Sequence, residues 1–557
     1  MTPITCLLVA AALAPAEGIR FTDVTSTSGV DALMTSGRMP SSEILEVKGG
    51  GLALIDFDND GDLDLFLPNG ATLDDTEHGP GARLFRNDST PDAIRFTDVT
   101  AQSGIHHTRW SFGAAVGDVD GDGFDDLFIA CYGPDVLLRN RGDGTFEDIS
   151  AKSGLAAPER DREWSTSVAF ADLDGDGDLD LYVVNYLDFD PKQPMPRARF
   201  KGIEVMPGPK GFKGEVDHVF INRGDGTFVD ATQTSGIGRA PGSFGLNLAI
   251  LDFTGDGKPD IFVGNDSQKN FLFVNKGDGT FDEVGLRSGV ATNMEGLEQA
   301  TMGIAIGDVD GNGWPDIFTT NFSSDTDTLH LNLDGKYFDD RTSQFNLAAV
   351  SRPLLGWAAA FVDFDHDGDE DLLSMRGHVY PQASKQTMDS EYEQRPLLME
   401  RRGKRFEQVT EAGAWKMEPH RDRTAVFADL DRDGDVDLVI GELNGKLRVI
   451  RNDHVAPGAP TKDWLVVVPK DARKSVGNRH AIGAVVTARS RDADGAERVQ
   501  RRWQWGGGPF MSTIAPELHF GFPAGTTDVR LEIAWPDGTR ETVAQPALGT
   551  RVTLERK

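Results

Sequence analysis

Short apolar segments alternate with acidic, glycine-rich turns along most of the chain. GLALI (51–55) leads into the acidic stretch DFDNDGDLD (56–64), and LDLFLPN (63–69) follows it. Apolar runs of this length, bounded by Asp, Asn and Gly, are typical of β-strands. The pattern therefore predicts a strand, an acidic loop and a second strand.

This unit recurs, which makes an internal repeat the first feature to interpret. The acidic loops are 62, 54, 80, 56, 55 and 66 residues apart. The seven copies start at Asp56, Asp118, Asp172, Asp252, Asp308, Asp363 and Asp429.

Two further segments complete each repeat. An apolar stretch such as VLLRN or LFVN precedes a Gly-Asp-Gly turn, whose residues tolerate positive φ and favour a hairpin. A short strand similar to FTDVT then closes the unit, so each repeat contains about four strands. This closing strand also occurs seven times, at Phe21, Phe96, Phe146, Phe228, Phe281, Phe338 and Phe406.

The order of the segments predicts a closed ring. The closing strand at Phe21 precedes the first acidic loop, whereas the last loop, at Asp429, is followed by LRVIRN and no closing strand. If the N-terminal strand completes the last unit, no sheet edge of an open array is left exposed. The predicted fold is all-β: a seven-bladed β-propeller over residues 17–456, followed by a small β-sandwich-like domain over 457–557.

Composition narrows the choice of partners. The formal charge of −33 and the pI near 4.7 exclude nucleic acid as a partner, since phosphate binding needs clusters of Lys and Arg. A hydrophobic content of 39% is enough to build a core, so bulk disorder is excluded as well. Cationic partners or metal ions are favoured.

Residues 1–16 predict a signal peptide, because an apolar stretch precedes the A-x-A-like sequence at residues 12–14. The stretch is too short to span a bilayer, and no transmembrane segment is predicted. An apolar first strand is the competing interpretation, since no Lys or Arg precedes the stretch. The expected location is secreted, cell-surface or periplasmic. Removal of Cys6 with this segment leaves only Cys131, which excludes an internal disulfide.

The acidic loops share one arrangement of oxygen donors. Oxygen-bearing side chains stand at positions one, three, five and nine, glycine stands at six, and residue seven offers its carbonyl. Hard oxygen ligands in a flexible loop without His or Cys favour Ca²⁺ over zinc, copper or magnesium. Position twelve never carries the Glu of an EF-hand, so the sequence predicts a strand–loop–strand calcium site. Up to seven Ca²⁺ would bind, changing the formal charge from −33 to −19.

The predicted metal-binding residues are Asp56, Asp58, Asp60, Asp62, Asp64, Asp118, Asp120, Asp122, Phe124, Asp126, Asp172, Asp174, Asp176, Asp178, Asp180, Asp252, Thr254, Asp256, Lys258, Asp260, Asp308, Asp310, Asn312, Trp314, Asp316, Asp363, Asp365, Asp367, Asp369, Asp371, Asp429, Asp431, Asp433, Asp435 and Asp437.

Three residues within these loops depart from the common pattern. Thr254 and Asn312 remain oxygen donors, but Thr254 removes a charge and should weaken the fourth site. His366 occupies a non-ligating position in DFDHDGDED, where the sequence predicts a side chain facing solvent.

The D-x-D-x-D-G-x-x-D units resemble FG-GAP/VCBS repeats. From Trp464 onward, NRHAIGAVVTARS, RRWQWGGGPFMS, PELHFGF and AWPDGTRETV resemble an ASPIC/UnbV domain, with Ser512 the only serine where the family has a serine-rich turn. Together the two parts are similar to the bacterial form of the cartilage acidic protein family. The resemblance implies calcium binding and an extracellular or surface location, with no agreed substrate. Residues 535–538 predict a hairpin turn.

Two functions follow as hypotheses. The first is a non-enzymatic calcium-binding scaffold for adhesion or ligand binding, whose partner is an unidentified extracellular protein or glycan. Its candidate anion-binding surface consists of basic residues in the long segment 188–220. The same segment could equally well be a structural element that covers the propeller face. The residues of that surface are Arg197, Arg199, Lys201, Lys210 and Lys213.

The alternative is a calcium-dependent carbohydrate-active propeller, either a lectin or a polysaccharide lyase or hydrolase. Such an enzyme needs a base or a carboxylate pair in a cleft. Its candidates are His378 and Tyr380, or His106 and His107 near Trp110, but each more commonly packs in a core or loop, and no catalytic residue is assigned.

Overall fold

The computed structural model describes residues 18–155, 160–193, 195–454, 463–473 and 477–557. The predicted signal peptide (1–16) and the predicted domain boundary at 456/457 lie outside the described residues.

The repeats form seven antiparallel sheets, and within each sheet four strands follow one another in order. They are β2–β5, β6–β9, β10/β11/β14/β15, β16–β19, β21–β24, β25–β28 and β29–β31 with β1. The bounds are β1 (Phe21–Asp23), β2 (Ala53–Ile55), β3 (Asp64–Leu67), β4 (Arg83–Asn87), β5 (Phe96–Asp98), β6 (Ser111–Gly117), β7 (Asp126–Cys131), β8 (Val136–Asn140), β9 (Phe146–Asp148), β10 (Ser165–Ala171), β11 (Asp180–Asn185), β12 (Ala198–Phe200), β13 (Ile203–Val205), β14 (His218–Asn222), β15 (Phe228–Asp230), β16 (Gly245–Leu251), β17 (Asp260–Gln268), β18 (Phe271–Asn275), β19 (Phe281–Glu283), β20 (Gln299–Ala300), β21 (Ile304–Gly307), β22 (Asp316–Thr319), β23 (Thr328–Leu333), β24 (Tyr337–Asp340), β25 (Gly356–Val362), β26 (Asp371–Arg376), β27 (Leu397–Arg402), β28 (Arg405–Val409), β29 (Asp422–Ala428), β30 (Asp437–Glu442) and β31 (Arg448–Asn452).

Helical structure among the described residues is confined to single turns. The α-helical turns are α1 (Thr25–Ser28), α2 (Thr100–Ser103), α3 (Thr232–Ser235), α4 (Gly285–Ser288), α5 (Ala348–Ser351) and α6 (Lys385–Met388), and 3₁₀ turns occupy Ile44–Val47 and Ile237–Arg239.

The sheets close into a ring. Strand β1 pairs antiparallel with β31, so the N-terminal strand completes the last sheet, as the offset of the repeats predicts. Neighbouring sheets share buried clusters, and one such cluster joins Leu54 of the first sheet to Val426 of the last. Another joins Leu373 to Ala425, between the sixth and seventh sheets. The all-β fold is confirmed, and its architecture is that of a β-propeller.

The two faces of the ring carry different connections. Each acidic loop joins the first strand of a sheet to the second, so all seven lie on one face, which we call the acidic face. Because the strands are antiparallel, the connections from second to third strand and from each sheet to the next lie on the opposite face.

The C-terminal domain is a small sandwich of two sheets, of strand order β36–β32–β39 and β34–β33–β37–β38. A separate cluster of buried apolar residues fills the space between them. The hairpin predicted at residues 535–538 is confirmed, since Gly538 N donates to Trp535 O at 2.8 Å. The bounds are β32 (Trp464–Asp471), β33 (Val485–Arg491), β34 (Glu497–Trp503), β35 (Gly506–Gly507), β36 (Leu518–Gly521), β37 (Thr527–Ala534), β38 (Arg540–Ala544) and β39 (Thr550–Arg556).

One loop of this domain, residues 504–515, enters the propeller; we call it the inserted segment. Its strand β35 pairs with β16, the first strand of the fourth sheet. Asn247, Ile304 and Thr424, from the first strands of three sheets, donate hydrogen bonds of 3.0–3.1 Å to its carbonyl groups. The inserted segment therefore runs among the innermost strands of the ring.

Ser512 anchors the inserted segment. Its hydroxyl accepts a hydrogen bond from Leu52 N at 2.9 Å and lies 2.6 Å from Thr424 Oγ1. The chains approach so closely that a Cβ at Gly51 would lie 1.6 Å from a backbone oxygen of the segment. The single serine of this turn thus serves to dock the two domains.

The rest of the C-terminal domain contacts the acidic face. Arg479 Nη1 lies 3.7 Å from Asp118 Oδ2, and Arg498 Nη1 lies 3.5 Å from Asp369 Oδ1. His480 Nε2 lies 2.8 Å from the carboxylate of Asp125. Cationic side chains of one domain therefore meet the acidic loops of the other.

Candidate functional site

The first carboxylate of each acidic loop is held by the loop's own backbone. In six loops the N–H of the glycine at position six donates to Oδ2 of the Asp at position one, at 2.8–3.1 Å. These glycines have positive φ, 90° at Gly61, which an L-residue adopts only with strain. The Asp–Gly spacing therefore determines where the first carboxylate points.

The ninth carboxylate is buried and organises both ends of the loop. In all seven loops its Oδ2 accepts the backbone N–H of position two, at 2.8–3.2 Å. Its Oδ1 accepts a backbone N–H from the end of the third strand, at 2.7–2.9 Å. An aspartate is needed here because one side chain must accept from two directions.

Asparagines at the end of the third strand tie six of the seven loops to the preceding loop, a role that the sequence interpretation missed. Asn87 Nδ2, for example, donates to Leu430 O at 2.9 Å, and Asn140 Nδ2 to Phe57 O at 2.8 Å. The sixth repeat has Arg401 at this place. The signal was present in the sequence, because Asn recurs at the same point of six repeats. The six asparagines are Asn87, Asn140, Asn222, Asn275, Asn332 and Asn452.

Carboxylates converge on one point in at least four of the loops. The Asp56, Asp58 and Asp64 side chains each place an oxygen within 4.8 Å of the others, and trios of aspartates also meet in the second, third and fifth loops. Several of their oxygens are buried with no hydrogen-bond partner among the described residues, including Oδ1 of Asp308 and of Asp363. Buried acceptors without donors are costly, and a cation bound between them would offset that cost. The donor set fits Ca²⁺, which takes six to eight oxygen ligands.

Burial raises the pKa of several carboxyl groups in the loops, those of Asp56 and Asp64 among them. Burial is the main cause of the rise at Asp56, to a pKa of about 6, and neighbouring aspartates add to it. At Asp64 burial raises the pKa to about 9. A divalent cation would reverse this effect by stabilising the ionised forms.

Side chains at position seven turn toward neighbouring elements. Asp62 pairs with Arg432 of the seventh loop at 2.6 Å, and the ring of Trp314 lies over Gly255. Participation of position seven through its carbonyl stays a prediction.

Two loops carry their own cations. Arg139 pairs with Asp120 and Asp122, at 2.5 and 3.0 Å, in the second loop. Lys258 pairs with Asp256 at 3.1 Å in the fourth loop, where Thr254 already removes one charge. Each of these cations already neutralises part of the loop's negative charge, so a metal ion would compete with it for the same carboxylates.

His366 contradicts the sequence interpretation, which placed it in solvent. Its side chain is only 2% exposed and packs between rings of His454 and His519, with centroids 4.6 and 4.9 Å away. The prediction was wrong because the C-terminal domain covers this loop, and the sequence pattern of the loop alone gives no information about that contact.

The opposite face contains a cavity of about 1090 Å³. Aromatic side chains form part of its wall: Phe200 and Phe322 meet edge to face at 5.5 Å, and Tyr380 lies 5.7 Å from Phe200. The cavity is large enough for a ligand of several rings.

A buried charged group lies at the wall of the cavity. Lys48 Nζ contacts Asp266 Oδ2 at 3.2 Å, and Tyr186 Oη donates to the same oxygen at 2.6 Å. Burial lowers the pKa of Lys48, while Asp266 opposes that change. Sequence reasoning did not single out these residues, since they lie far apart in the chain and only Asp266 belongs to a strand, β17.

His378 and Tyr380 were predicted as candidates for catalysis, and the structure gives the histidine a packing role. Its Nδ1 accepts the N–H of Tyr380 at 3.0 Å, so in the neutral ring Nε2 carries the proton and donates to Ser323 Oγ at 3.0 Å. Burial lowers the pKa of His378 to about 3. In this arrangement His378 is a hydrogen-bond donor to Ser323 rather than a base that activates it.

The other predicted pair is not brought to the cavity. His107 Nε2 lies 2.6 Å from Ser111 Oγ, and burial lowers its pKa to about 4. His106 is exposed, and Trp110 is fully buried in the core. None of the three lines the cavity.

The basic segment 188–220 covers the opposite face. Its hairpin β12–β13 reaches across the ring, where Arg197 Nη1 donates to Ser42 O at 2.7 Å and Lys201 Nζ to Met388 O at 2.8 Å. Phe200 and Lys210 line the cavity. These contacts favour the structural interpretation over an open anion-binding surface.

Among the described residues, no helix is long and apolar enough to cross a membrane.

Comparisons with known proteins agree with this architecture. A model described as FG-GAP-like repeat matches residues 56–129, 118–183, 212–263, 252–319 and 308–374, and one described as ASPIC and UnbV matches 474–557. Cartilage acidic protein 1 of Xenopus tropicalis is 25% identical over 88% of this chain and 70% of its own length. The Homo sapiens protein of that name is 24% identical over 88% and 69%.

A solved lectin from Agrocybe aegerita, described as recognising non-reducing terminal N-acetylglucosamine, is 15% identical, with 70% of this chain and 88% of that chain covered, at a TM-score of 0.37.

The repeats, the C-terminal domain and the relatives together identify the family. The chain belongs to the FG-GAP-like repeat proteins that carry an ASPIC and UnbV domain and are related to cartilage acidic protein 1.

Proposed function

We propose that this protein is a calcium-stabilised scaffold of the extracellular type, whose acidic loops bind Ca²⁺ and whose opposite face binds a partner. The proposal of calcium binding is supported by one observation: several buried carboxylate oxygens of the loops lack hydrogen-bond partners among the described residues. The sequence has two cysteines, and removal of the predicted signal peptide with Cys6 would leave only Cys131. Bound ions would then replace disulfides as the stabilising cross-links.

The residues that would hold the ion are the side chains at positions one, three, five and nine. The ion supplies positive charge that offsets the repulsion among these carboxylates. The backbone N–H groups of the loop and the buried Asp at position nine orient the ligands before binding.

Thermal melting in calcium and in chelator tests the proposal. At a free calcium concentration of 100 Kd each site adds about 2.7 kcal/mol, so occupancy of only four of the seven loops would add about 11 kcal/mol. We expect removal of calcium to lower the midpoint by about 10 °C. An unchanged midpoint would refute calcium stabilisation.

Site variants provide the matched control. Asp308→Asn should lower the number of bound calcium ions by one, whereas Asp74→Asn, at an exposed position, should leave it unchanged. Equal stoichiometry in both variants would mean that the fifth loop holds no ion.

A second candidate function, carbohydrate binding, is favoured by the cavity on the opposite face. Aromatic faces beside a buried Lys–Asp–Tyr group suit a polyhydroxylated ligand, whose C–H groups pack on rings and whose hydroxyls form hydrogen bonds.

A glycan and surface-protein binding screen, run with calcium and with chelator, tests both candidates. A glycan bound in the cavity should be lost with Phe322→Ala, at the cavity wall, and kept with Tyr337→Ala, where the ring is 59% exposed on β24. Binding that survives Phe322→Ala would place the ligand elsewhere, and no binding in any condition would count against the scaffold.

A further inference from the structure

Three histidines and an aspartate meet where the propeller joins the C-terminal domain; we call this set the histidine junction. His366 comes from the sixth acidic loop, His454 follows β31, Asp463 precedes β32, and His519 lies in β36. Four separate places in the chain therefore contribute side chains to one point.

The distances suit a metal ion. His366 Nδ1 lies 3.4 Å from Asp463 Oδ1, and His454 Nε2 lies 4.0 Å from Asp463 Oδ2. Ligand atoms of the His366, His454 and Asp463 set all lie within 4.8 Å of one another. In a tetrahedral site with bonds of about 2.1 Å, ligand atoms are about 3.4 Å apart.

The hydrogen bonding of the fourth member, His519, occupies one of its ring nitrogens. Its Nε2–H donates to Gly434 O at 2.9 Å, so Nδ1 carries a lone pair, and that atom is buried with no hydrogen-bond partner among the described residues. His454 Nδ1 is buried without a hydrogen bond in the same part of the chain. His519 is not among the three residues whose ligand atoms lie within 4.8 Å of one another, so it borders the ion site and is not proposed as a ligand.

We propose that the histidine junction binds one divalent transition-metal ion, of the zinc type, through His366, His454 and Asp463. Two imidazoles and one carboxylate favour Zn²⁺ over Ca²⁺, which takes oxygen ligands. The site thus differs from the predicted calcium sites in its nitrogen ligands, although His366 belongs to the sixth acidic loop and its Nε2 lies 3.4 Å from Asp435 Oδ1 of the seventh.

The ion would cross-link the two domains. It would hold an acidic loop of the sixth sheet, the end of the last propeller strand and the start of the C-terminal domain. Because such a site forms only in the folded chain, zinc binding should raise the melting midpoint beyond the value reached with calcium alone.

The test uses the full chain without a histidine tag, freed of metal and supplied with excess Ca²⁺ to fill the acidic loops. Titration with Zn²⁺ by calorimetry should show one equivalent bound. Co²⁺, held by the three side chains and one water molecule, should give the visible absorption of a four-coordinate ion. His366→Gln, His454→Gln and Asp463→Asn should each weaken Zn²⁺ binding by about 100-fold or more.

The matched control is His78→Gln, which removes an exposed histidine that lies 3.0 Å from a carboxylate, Asp75. It should bind zinc as the unaltered chain does. Circular dichroism and calcium-dependent melting establish that each variant is folded.

Two results would overturn the proposal. One is a titration in which the unaltered chain binds no equivalent of Zn²⁺; this result would refute the site even if a variant fails to fold. The other is equal zinc affinity in the three junction variants and in His78→Gln. Neither result depends on whether the acidic loops bind calcium.

Discussion

Truncation of Phe510 tests whether the inserted segment makes the two domains one structural unit. The side chain is fully buried, and its ring meets that of Trp357 edge to face at a centroid distance of 5.1 Å. Replacing a buried Phe by Ala costs about 3–5 kcal/mol, because apolar contacts are lost and a cavity is left.

The expected change in melting temperature follows from the size of the chain. Unfolding entropy of about 2.1 cal/mol/K per residue gives roughly 1.2 kcal/mol/K for 557 residues that unfold together. Phe510→Ala should therefore lower the midpoint by about 3–4 °C in calcium, measured by scanning calorimetry.

Val499→Ala is the control, since this apolar side chain of the same domain is 43% exposed on β34. It should shift the midpoint by less than about 1 °C. If Phe510→Ala behaves like this control, the inserted segment does not stabilise the ring, and the inference of coupled domains fails.

Two further outcomes follow from groups of the second sheet, the buried Cys131 and the partly buried Asp135 in the turn before β8. Cys131 is fully buried, and burial raises the pKa of its thiol, so in a Cys6→Ser chain a thiol reagent should label nothing in the native protein and one equivalent after unfolding; rapid native labelling would contradict the burial. Burial raises the pKa of Asp135 from 3.8 to about 7, so the folded state binds more protons than the unfolded chain between about pH 4 and pH 7, and stability falls as pH rises through that range. Asp135→Asn should remove this loss of stability. The melting midpoint of the variant should therefore rise relative to that of the unaltered chain as the pH goes from 5 to 8. A constant difference between the two midpoints would show that Asp135 does not titrate in this range.

The carboxylate-bearing positions of the acidic loops were predictable because each lies within nine residues of sequence. Asp56, Asp58 and Asp64 converge through local backbone geometry, set by the turn at Gly61 and by N–H groups of the same loop. The asparagine links were visible as a recurrence, but their function was not, since Asn87 bonds to a loop 343 residues away.

The irregular segments could not be interpreted in this way. The basic segment 188–220 and the inserted segment occur once each, so no repetition reveals their register or their contacts. Their positions depend on long-range packing against several sheets, and composition does not encode such contacts. For the same reason the solvent-facing prediction for His366 was wrong.

The sequence by itself determined the repeat, the four strands of each unit, the offset that closes the ring and the oxygen donors of the loops. These features follow from local alternation of apolar and turn-forming residues and from short spacings. Only the tertiary structure decided which side chains of distant segments meet: the inserted segment in the ring, the cavity beside Lys48 and the histidine junction. Burial and proximity across hundreds of residues arise from packing of the whole chain, and no short stretch carries them.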